Sequence, residues 1–392
     1  MAAFIRKFVN YIKSNDSLSN YFKRTVYNFR YKSFSEIVSI KDIIDCKQQT
    51  IQKLAEENKT KTYLPKFLNI EERYIEVVSP EVSLYQFEDA YIDINSSSIL
   101  QNDNLITHRS EGERFNEGFV NFHNDKHAKI IKKEVEELKE GFFLGGNGSW
   151  NWFHFLIEIM PKITLLNPKY TSTVLVNDIV LKVPSMKKIL DLFIINKFDV
   201  KYLNPGKTYH VKKLYHINDF NHIQFNRFDS LIKADGAFYN TEITYNFSNY
   251  ILEKLVINDE LPKKLFLYRK NTHRIAENQD QILEYLEKFG FVPICLEELS
   301  IEEQAGYFKN AEFIIGISGA AWTNMIFCRN KPKAICFVPE SATESVVFSN
   351  LAKIFEVDFY EQSYTNNGRH TDCNFIINFE MFVELFKYTN EK

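Results

Sequence analysis

The chain has 392 residues, of which 45% are apolar, 25% are charged and 15% are aromatic. This length predicts two or three domains with a sizeable core, and the composition excludes a disordered or collagen-like chain. The formal net charge of −3 excludes the strongly basic field of a typical nucleic-acid binder, so we expect no nucleic-acid partner.

The cysteine count and the hydropathy bear on the cellular compartment. The chain has five Cys residues and no C-x-x-C pair, which favours reduced thiols over a disulfide framework. No apolar run reaches the roughly 18 residues of a membrane span, and the N-terminus lacks the apolar core of a signal peptide. We therefore expect a soluble, cytoplasmic protein.

The first predicted element is a basic helix. Residues 1–32 contain seven Lys or Arg and a single Asp, and Phe4, Phe8, Tyr11 and Ile12 recur at helical spacing. Such a helix can bind the anionic surface of the inner membrane as a peripheral contact. Alternatively, it packs on its own domain and leaves its basic side chains in solvent.

The N-terminal half then mixes strand-like and helical segments. Short alternating runs predict a β meander over 74–107, and the charged run 125–140, closed by Gly141, predicts a helix. A glycine loop at 145–149 leads into an apolar helix over 151–166. Beyond it we predict strands at 173–176 and 209–215, helices at 184–196 and 246–257, and loops over 218–240.

The last third alternates strands and helices. Strands are predicted at 264–268, 291–295, 313–317 and 333–338, and helices at 278–289, from 300 onward and over 344–355. Strands that alternate with helices of about 10–15 residues predict a parallel, Rossmann-like sheet. We place one domain at 1–245 and a second at 246–392.

Two segments follow predicted strands at the edge where open parallel sheets bind ligands. One is rich in small residues, which let a phosphate approach backbone N–H groups at a helix N-terminus. The other carries three positive charges in six residues. Together they could hold a diphosphate; alternatively, the small residues only permit close packing and the basic loop is solvated. The candidate nucleotide-binding residues are Arg269, Arg274, Ser318, Gly319, Ala320, Ala321 and Asn324.

A further candidate on this edge is Glu340, whose carboxylate could bind ribose hydroxyls. The alternative is a charge that favours a helix N-terminus, with Glu344 as the nearby competitor. The dinucleotide fingerprint, the phosphate-binding P-loop and an Asp-x-Asp pair are all absent from the sequence. These absences count against a dehydrogenase and a P-loop hydrolase, and we expect neither a metal site nor a bound cofactor.

The predicted helix over 151–166 carries a second polar cluster. His154 and Glu158 are four residues apart and can touch on one helical face, beside Asn151. A carboxylate that orients a His and raises its basicity makes that His a plausible general base. The alternative is a half-buried polar pair with no catalytic role. We interpret His216 and His222 as ordinary strand and loop histidines.

These segments, in this order, resemble glycosyltransferase family 61. The run Asn151-Trp152-Phe153-His154-Phe155-Leu156-Ile157-Glu158 with Pro161-Lys162 is similar to the family's Asn-Tyr-x-His-Trp-x-x-Glu…Pro-Arg segment. The resemblance continues through Tyr268-Arg269…Arg274-Ile275…Asn278, Leu299-Ser300…Glu303-Gln304, Ala311, and Ile315-Gly316 leading into Gly319-Ala320…Thr323-Asn324…Phe327. It is dense over 142–166 and 264–340.

The resemblance implies a GT-B architecture, in which two Rossmann-like α/β domains face each other across a cleft. It also implies inverting, metal-independent transfer, with the donor nucleotide on the C-terminal domain. By position, Arg269 and Arg274 would meet the diphosphate and the 318–324 segment the nucleotide. His154 or Glu158 would lie on the acceptor side, together with Asn151 and Trp152. The family usually has His at the position of Ser318 and Arg at that of His273.

We therefore predict an inverting glycosyltransferase that uses a nucleotide-diphosphate sugar as co-substrate, most simply a UDP-sugar. Its acceptor would be a glycan or a lipid-linked glycan in surface polysaccharide biosynthesis. The rival hypothesis is a non-catalytic nucleotide- or glycan-binding protein of the same fold, for which Ser318 would be a sign of decay. A third is an enzyme of the same architecture that uses a GDP- or CMP-sugar.

Overall fold

We describe the fold from a computed structural model of the chain. The structure describes residues 35–108, 118–123, 126–223, 236–270, 275–340, 343, 345–365 and 374–391. The predicted helix over 1–32 and the candidate Arg274 lie outside these residues. None of the described helices is long and apolar enough to cross a membrane.

The described part of the chain is a mixed α/β fold. Its strands are β1 (Ser35–Asp42), β2 (Thr50–Ala55), β3 (Asn58–Tyr63), β4 (Tyr74–Ser79), β5 (Val82–Ile92), β6 (Ile99–Gln101), β7 (Asn104–Thr107), β8 (Val120–His123), β9 (His127–Ile131), β10 (Glu134–Leu144), β11 (Thr173–Asn177), β12 (Asp199–Leu203), β13 (Lys207–Ile217), β14 (Asn221–His222), β15 (Phe238–Tyr239), β16 (Lys264–Leu267), β17 (Val292–Ile294), β18 (Phe313–Ile317), β19 (Lys333–Pro339) and β20 (Asp358–Tyr364). Its longer helices are α1 (Pro184–Ile194), α2 (Thr241–Lys254), α3 (Gln279–Glu287), α4 (Ile301–Asn310), α5 (Val347–Ile354) and α6 (Phe379–Glu391). Short 3-10 helices lie at Ile43–Gln49, Asp178–Leu181, Leu296–Glu298 and Ala320–Phe327. The predicted α/β class is confirmed.

The N-terminal half is built on an eleven-stranded mixed sheet with the order β12-β11-β10-β13-β5-β6-β7-β1-β9-β8, and β2 pairs with β5. Strands β12, β11, β10 and β13 are parallel, and helical crossovers connect β10 to β11 and β11 to β12. From β5 onward most pairs are antiparallel, which matches the predicted meander over 74–107. Only one end of this sheet is therefore Rossmann-like.

The predicted helix over 125–140 is wrong, because most of this run belongs to β9 and β10. Half-buried and exposed positions alternate over 136–140, and the charged residues pair across the strands instead of along a helix face. Glu136 contacts Lys201 at 2.8 Å and Lys207 at 3.0 Å, and Glu137 contacts His210 at 2.7 Å. Cross-strand pairs of opposite charge stabilise such a strand, and single-sequence periodicity does not register them.

The C-terminal half contains a five-stranded, fully parallel sheet with the order β17-β16-β18-β19-β20. This confirms the predicted Rossmann-like alternation and the strands at its centre. The predicted capping box is also present: Ser300 Oγ accepts from the N–H of Glu303, whose carboxylate accepts from the N–H of Ser300. Strand β20 and helix α6 were not among the predicted elements.

The two halves share one apolar core. A single buried cluster contains Phe142 and Leu156 from the N-terminal half and Trp322, Phe327 and Ala334 from the C-terminal half. Helix α2 contains the predicted domain boundary at 245/246 and contacts both sides. Its Tyr250 hydroxyl donates to Leu192 O at 3.2 Å, and its Ser248 hydroxyl donates to Ile326 O. The division into two domains stays a prediction.

Candidate active site

A glycine loop at 145–149 leaves the end of β10 and is fixed to the 94–97 turn. The amide of Gly146 donates to Ile94 O at 3.0 Å, and Asn147 and Ser97 exchange two hydrogen bonds of 2.9 and 3.0 Å. Gly148 has φ +74°, and a Cβ there would lie 2.4 Å from Cδ2 of His154. The loop therefore packs directly on the His154 ring, and only glycine fits this position.

The loop leads into a helical run over 152–165 that changes its hydrogen-bonding pattern twice. The Asn151 side chain caps its start by accepting from the N–H of Phe153 at 2.9 Å. A short α-helical turn passes into a π-helical segment, Phe155–Ile159, and then into a 3-10 segment, Met160–Leu165. Pro161 lies at the start of the last segment, as its missing N–H permits. π-helical turns occur frequently at functional sites.

His154 and Glu158 are in contact within this run, as their spacing predicts. Nδ1 of His154 faces Oε2 of Glu158, and both residues are more than nine-tenths buried. The other carboxylate oxygen, Oε1, accepts from the backbone N–H of Ile223 at 2.8 Å. Since a carboxylate only accepts, the proton lies on Nδ1, and Nε2 is the ring nitrogen that can take up a further proton.

A second polar cluster, which was not predicted from the sequence, lies one helical turn further along. Nζ of Lys162 contacts Oδ1 of Asp219 at 2.5 Å, and the Lys162 side chain is 3% exposed. Burial alone would raise the pKa of Asp219, but the nearby charges of Lys162 and His222 lower it to about 2. Burial and the charge of Lys162 lower the pKa of His216 to about 3, so this His stays neutral.

The small-residue segment begins where β18 ends. The amide of Ser318 donates to Phe337 O of the neighbouring strand at 2.8 Å. The guanidinium of Arg269, which follows β16, donates to Ser318 O at 2.6 Å. A Cβ on Gly319 would lie 2.2 Å from that guanidinium. The structure thus brings Arg269 together with Ser318 and Gly319, as predicted from their positions at adjacent strand ends.

The two polar segments meet at one hydrogen bond. Nε1 of Trp152 donates to Oδ1 of Asn324 at 3.1 Å, and the Asn324 amide donates to Gln304 at 3.0 Å. Beside this contact lies a cavity of about 720 Å³. Its lining includes Trp152, Ala320, Ala321 and Asn324 from the predicted set, together with charged residues from α1, from the start of α4 and from the 3-10 helix before it. Those charged residues are Lys187, Lys188, Asp191, Glu297 and Glu302.

Other predicted residues do not line this cavity. His154 and Glu158 are not among its described lining residues, and neither is Glu340. Glu340 is exposed at the end of β19, where its carboxylate accepts from the Thr365 hydroxyl at 2.7 Å. Among the described residues, no group of three or more His, Cys, Asp or Glu side chains could hold a metal ion. Metal independence stays a prediction.

Comparison with known proteins supports a glycosyltransferase. Residues 152–336, a little less than half of the chain, match the family Glycosyltransferase 61. Over 111 residues the chain is 30% identical to the EGF domain-specific O-linked N-acetylglucosamine transferase of Drosophila melanogaster, across 24% of this chain and 21% of that protein. The match thus spans about a fifth of that relative. The predicted resemblance to glycosyltransferase family 61 is confirmed over residues 152–336.

Proposed function

We propose that this protein is a glycosyltransferase that moves a sugar from a nucleotide-diphosphate donor to a glycan or lipid-linked acceptor. The observation that carries the proposal is the hydrogen bond between Trp152 and Asn324. It joins the two segments that resemble the family, beside a cavity of a size typical for small-molecule sites. The family match over residues 152–336 supports the reaction class.

In this proposal the C-terminal parallel sheet binds the donor. Arg269 lies at the carboxyl end of β16 and already holds the backbone at Ser318, so the donor diphosphate would meet a positive charge next to backbone N–H groups. Arg274 is proposed as a second cation for the diphosphate, and Glu340 as a partner for ribose hydroxyls. The two halves would correspond to the two domains of a GT-B architecture, with transfer between them.

The proposed reaction uses His154 as general base. The acceptor hydroxyl loses its proton to Nε2 of His154, while its oxygen forms a bond to the anomeric carbon of the donor sugar. The bond between that carbon and the diphosphate oxygen breaks, and the diphosphate departs with the electron pair. Positive charge from Arg269 and backbone N–H groups at 319–321 stabilise the charge that develops on the leaving group. Attack opposite to the leaving group inverts the anomeric configuration.

The donor base and the cellular setting are part of the same proposal. A UDP-sugar is the proposed donor, with GDP- and CMP-sugars as the competing donors.

The acceptor is proposed to belong to a surface polysaccharide, assembled at the cytoplasmic face of the membrane. Co-sedimentation of the full chain with anionic vesicles tests this setting. Binding should fall when Arg6, Lys7, Lys23 and Arg24 are changed to Glu, and persist when Lys212, Lys263, Lys309 and Lys331 are changed instead.

A thermal-shift panel of the full chain with UDP, GDP, CMP, NAD and ATP, each with and without EDTA, tests the donor. A ligand at about 100 times its Kd adds about 2.7 kcal/mol to the free energy of unfolding, which is readily visible as a higher Tm. A shift with UDP alone that EDTA leaves unchanged supports the proposal. No shift with any nucleotide contradicts it, and a shift that EDTA abolishes contradicts metal independence.

A hydrolysis assay separates the enzyme from a non-catalytic binding protein. The purified chain should release sugar slowly from its UDP-sugar without any acceptor, because water can replace the acceptor hydroxyl. His154→Ala should abolish this release and keep nucleotide binding. The matched control is His210→Ala, because His210 on β13 is as buried as His154 and also contacts a carboxylate at 2.7 Å, that of Glu137 on β10, away from the cavity. Binding without hydrolysis in the unmodified chain would favour the non-catalytic alternative.

A further inference from the structure

The 218–223 segment follows β13 and is attached to the 152–165 helical run at three points. Oδ1 of Asp219 contacts Nζ of Lys162 at 2.5 Å. The Asn221 side chain donates to Ile157 O at 2.7 Å. The N–H of Ile223 donates to Oε1 of Glu158 at 2.8 Å. The segment therefore runs alongside the helix and ends on the carboxylate that contacts His154.

The first attachment is a buried ion pair. The side chains of Lys162 and Asp219 are only 3% and 15% exposed. Removal of one partner of a buried pair leaves an uncompensated charge, whereas an apolar or neutral replacement of both partners is often tolerated. His216 on β13, His222 within the segment and His108 after β7 also lie close enough to act on this pair electrostatically. The charges of His222 and His108 help to lower the pKa of Asp219, and the charge of Lys162 lowers that of His216.

The last attachment determines how Glu158 is oriented. A carboxylate at the end of a flexible side chain can rotate unless its oxygens are fixed by donors. The N–H of Ile223 fixes Oε1, and this leaves Oε2 directed at Nδ1 of His154. Tyr239 on β15 also faces Glu158, whose charge adds to burial in raising the pKa of the Tyr239 hydroxyl. That hydroxyl donates elsewhere, to Val347 O at 3.1 Å.

We propose that Lys162 and Asp219 are positioning residues for His154. Their ion pair holds the 218–223 segment against the helical run, so that the N–H of Ile223 keeps Glu158 turned toward the imidazole. This inference rests on the proposed function and extends it by two residues that do not touch the reacting atoms. In this proposal the Lys162 charge pairs with Asp219 and does not contact the donor.

The decisive variant is the double substitution Lys162→Met and Asp219→Asn, which removes the ion pair without changing the net charge. The readout is the NMR titration of His154 in the full chain, together with the downfield resonance of its Nδ1 proton. We expect the resonance to disappear and the titration midpoint of His154 to fall by about 1 pH unit, because Glu158 is released. Lys162→Arg, which keeps the pair, should retain both signals.

The single variant Lys162→Met separates positioning from a simple effect of charge. Removal of a nearby positive charge alone would raise the titration midpoint of His154, whereas release of Glu158 lowers it. A midpoint that falls supports the proposal. A midpoint that stays or rises in folded Lys162→Met, or an unchanged Nδ1 proton resonance in the double variant, overturns it. Circular dichroism verifies folding, and the double variant decides the question if the single one unfolds.

The NMR titration is independent of the enzymatic assay, so each of the two proposals can be contradicted without the other. If the unmodified chain transfers no sugar, the proposed function is wrong whatever the NMR titration gives. If transfer occurs and His154 titrates identically in the unmodified chain and in the double variant, the positioning proposal alone is wrong. In the supporting outcome, the pH–rate profile of transfer in the double variant shifts in the same direction as the His154 midpoint.

Discussion

The indole Nε1 of Trp152 donates a hydrogen bond of 3.1 Å to the Asn324 side chain, across 172 positions of sequence. Through this bond the start of the 152–165 helical run contacts the 3-10 helix that follows β18. The Asn324 amide donates a hydrogen bond to Gln304 on α4, and the Gln304 amide donates to Leu296 O at 3.0 Å. One side of the cavity is thus held by a short chain of side-chain hydrogen bonds.

Trp152→Phe tests this chain of hydrogen bonds. The substitution keeps an aromatic ring but removes the N–H, and it leaves a buried oxygen of Asn324 without its donor. We expect the free energy of unfolding to fall by about 1–2 kcal/mol and nucleotide binding to weaken. Chemical denaturation and thermal shift measure the two effects. Trp150→Phe is the matched control, because Trp150 is 51% exposed and should tolerate the change.

Gly148→Ala tests the packing of the glycine loop on the catalytic candidate. A Cβ at this position would meet the His154 ring at 2.4 Å, in addition to the strain of a positive φ. Gly290 has φ +81° with nothing within 4 Å of its added Cβ, so Gly290→Ala carries the backbone strain alone. We expect Gly290→Ala to cost about 1 kcal/mol in stability and to leave transfer intact. Gly148→Ala should cost more and should lower kcat; equal effects of the two variants would contradict the packing argument.

Arg269→Ala tests the donor side. The substitution removes the guanidinium that holds Ser318 and that we propose meets the diphosphate, so the Kd for UDP should rise about 10-fold or more. Lys270→Ala is a control at the next position, where the ammonium group is exposed and pairs with Glu298 at 3.0 Å. Isothermal titration of both variants with UDP decides the assignment. Similar Kd values for the two would show that Arg269 serves only the fold.

His216 makes stability depend on pH. The pKa of this His is about 3 in the folded chain against an ordinary value of 6.5, so the unfolded chain binds the proton first as the pH falls. The free energy of unfolding therefore keeps its full value above about pH 6.5 and declines toward about pH 3. At about pH 5 it is lower by about 2 kcal/mol. Asp219 has a pKa of about 2 in the folded chain against an ordinary value of 3.8, so it lowers the free energy of unfolding only below about pH 4.

Urea denaturation across this pH range measures the effect. His216→Gln removes the buried imidazole, and its free energy of unfolding should change little between about pH 6.5 and about pH 5. His210→Gln is the control, since His210 lies beside the exposed carboxylate of Glu137. A His216→Gln chain with the same acid sensitivity as the unmodified one would refute the assignment.

Local pattern was sufficient to predict the parallel sheet and two contacts between residues of the candidate site. Strands β16, β18 and β19 are short apolar runs, and the capping box at Ser300 marks the start of α4 between β17 and β18. The contact between His154 and Glu158 follows from a spacing of four residues on a helix. The position of Arg269 next to Ser318 follows from the rule that parallel strands end at one edge.

Other features depend on contacts that a single sequence does not reveal. Strand β20 places Glu361 and Gln362 in buried positions, which conceals its apolar pattern; burial raises the pKa of Glu361 well above its usual value. Asp219 lies in a segment of weak periodicity, and only its position just after β13 could have marked it. The bond from Trp152 to Asn324 joins residues too distant in sequence for any local rule.

The continuous apolar core also limits how substrates can enter. Because Leu156 of one half and Phe327 of the other belong to one buried cluster, any rigid separation of the halves would expose apolar side chains to water. Each 100 Å² exposed in this way would cost about 2.5 kcal/mol. We therefore expect entry and product release to proceed by rearrangement of side chains and loops at the strand ends, while the two sheets keep a fixed distance throughout turnover.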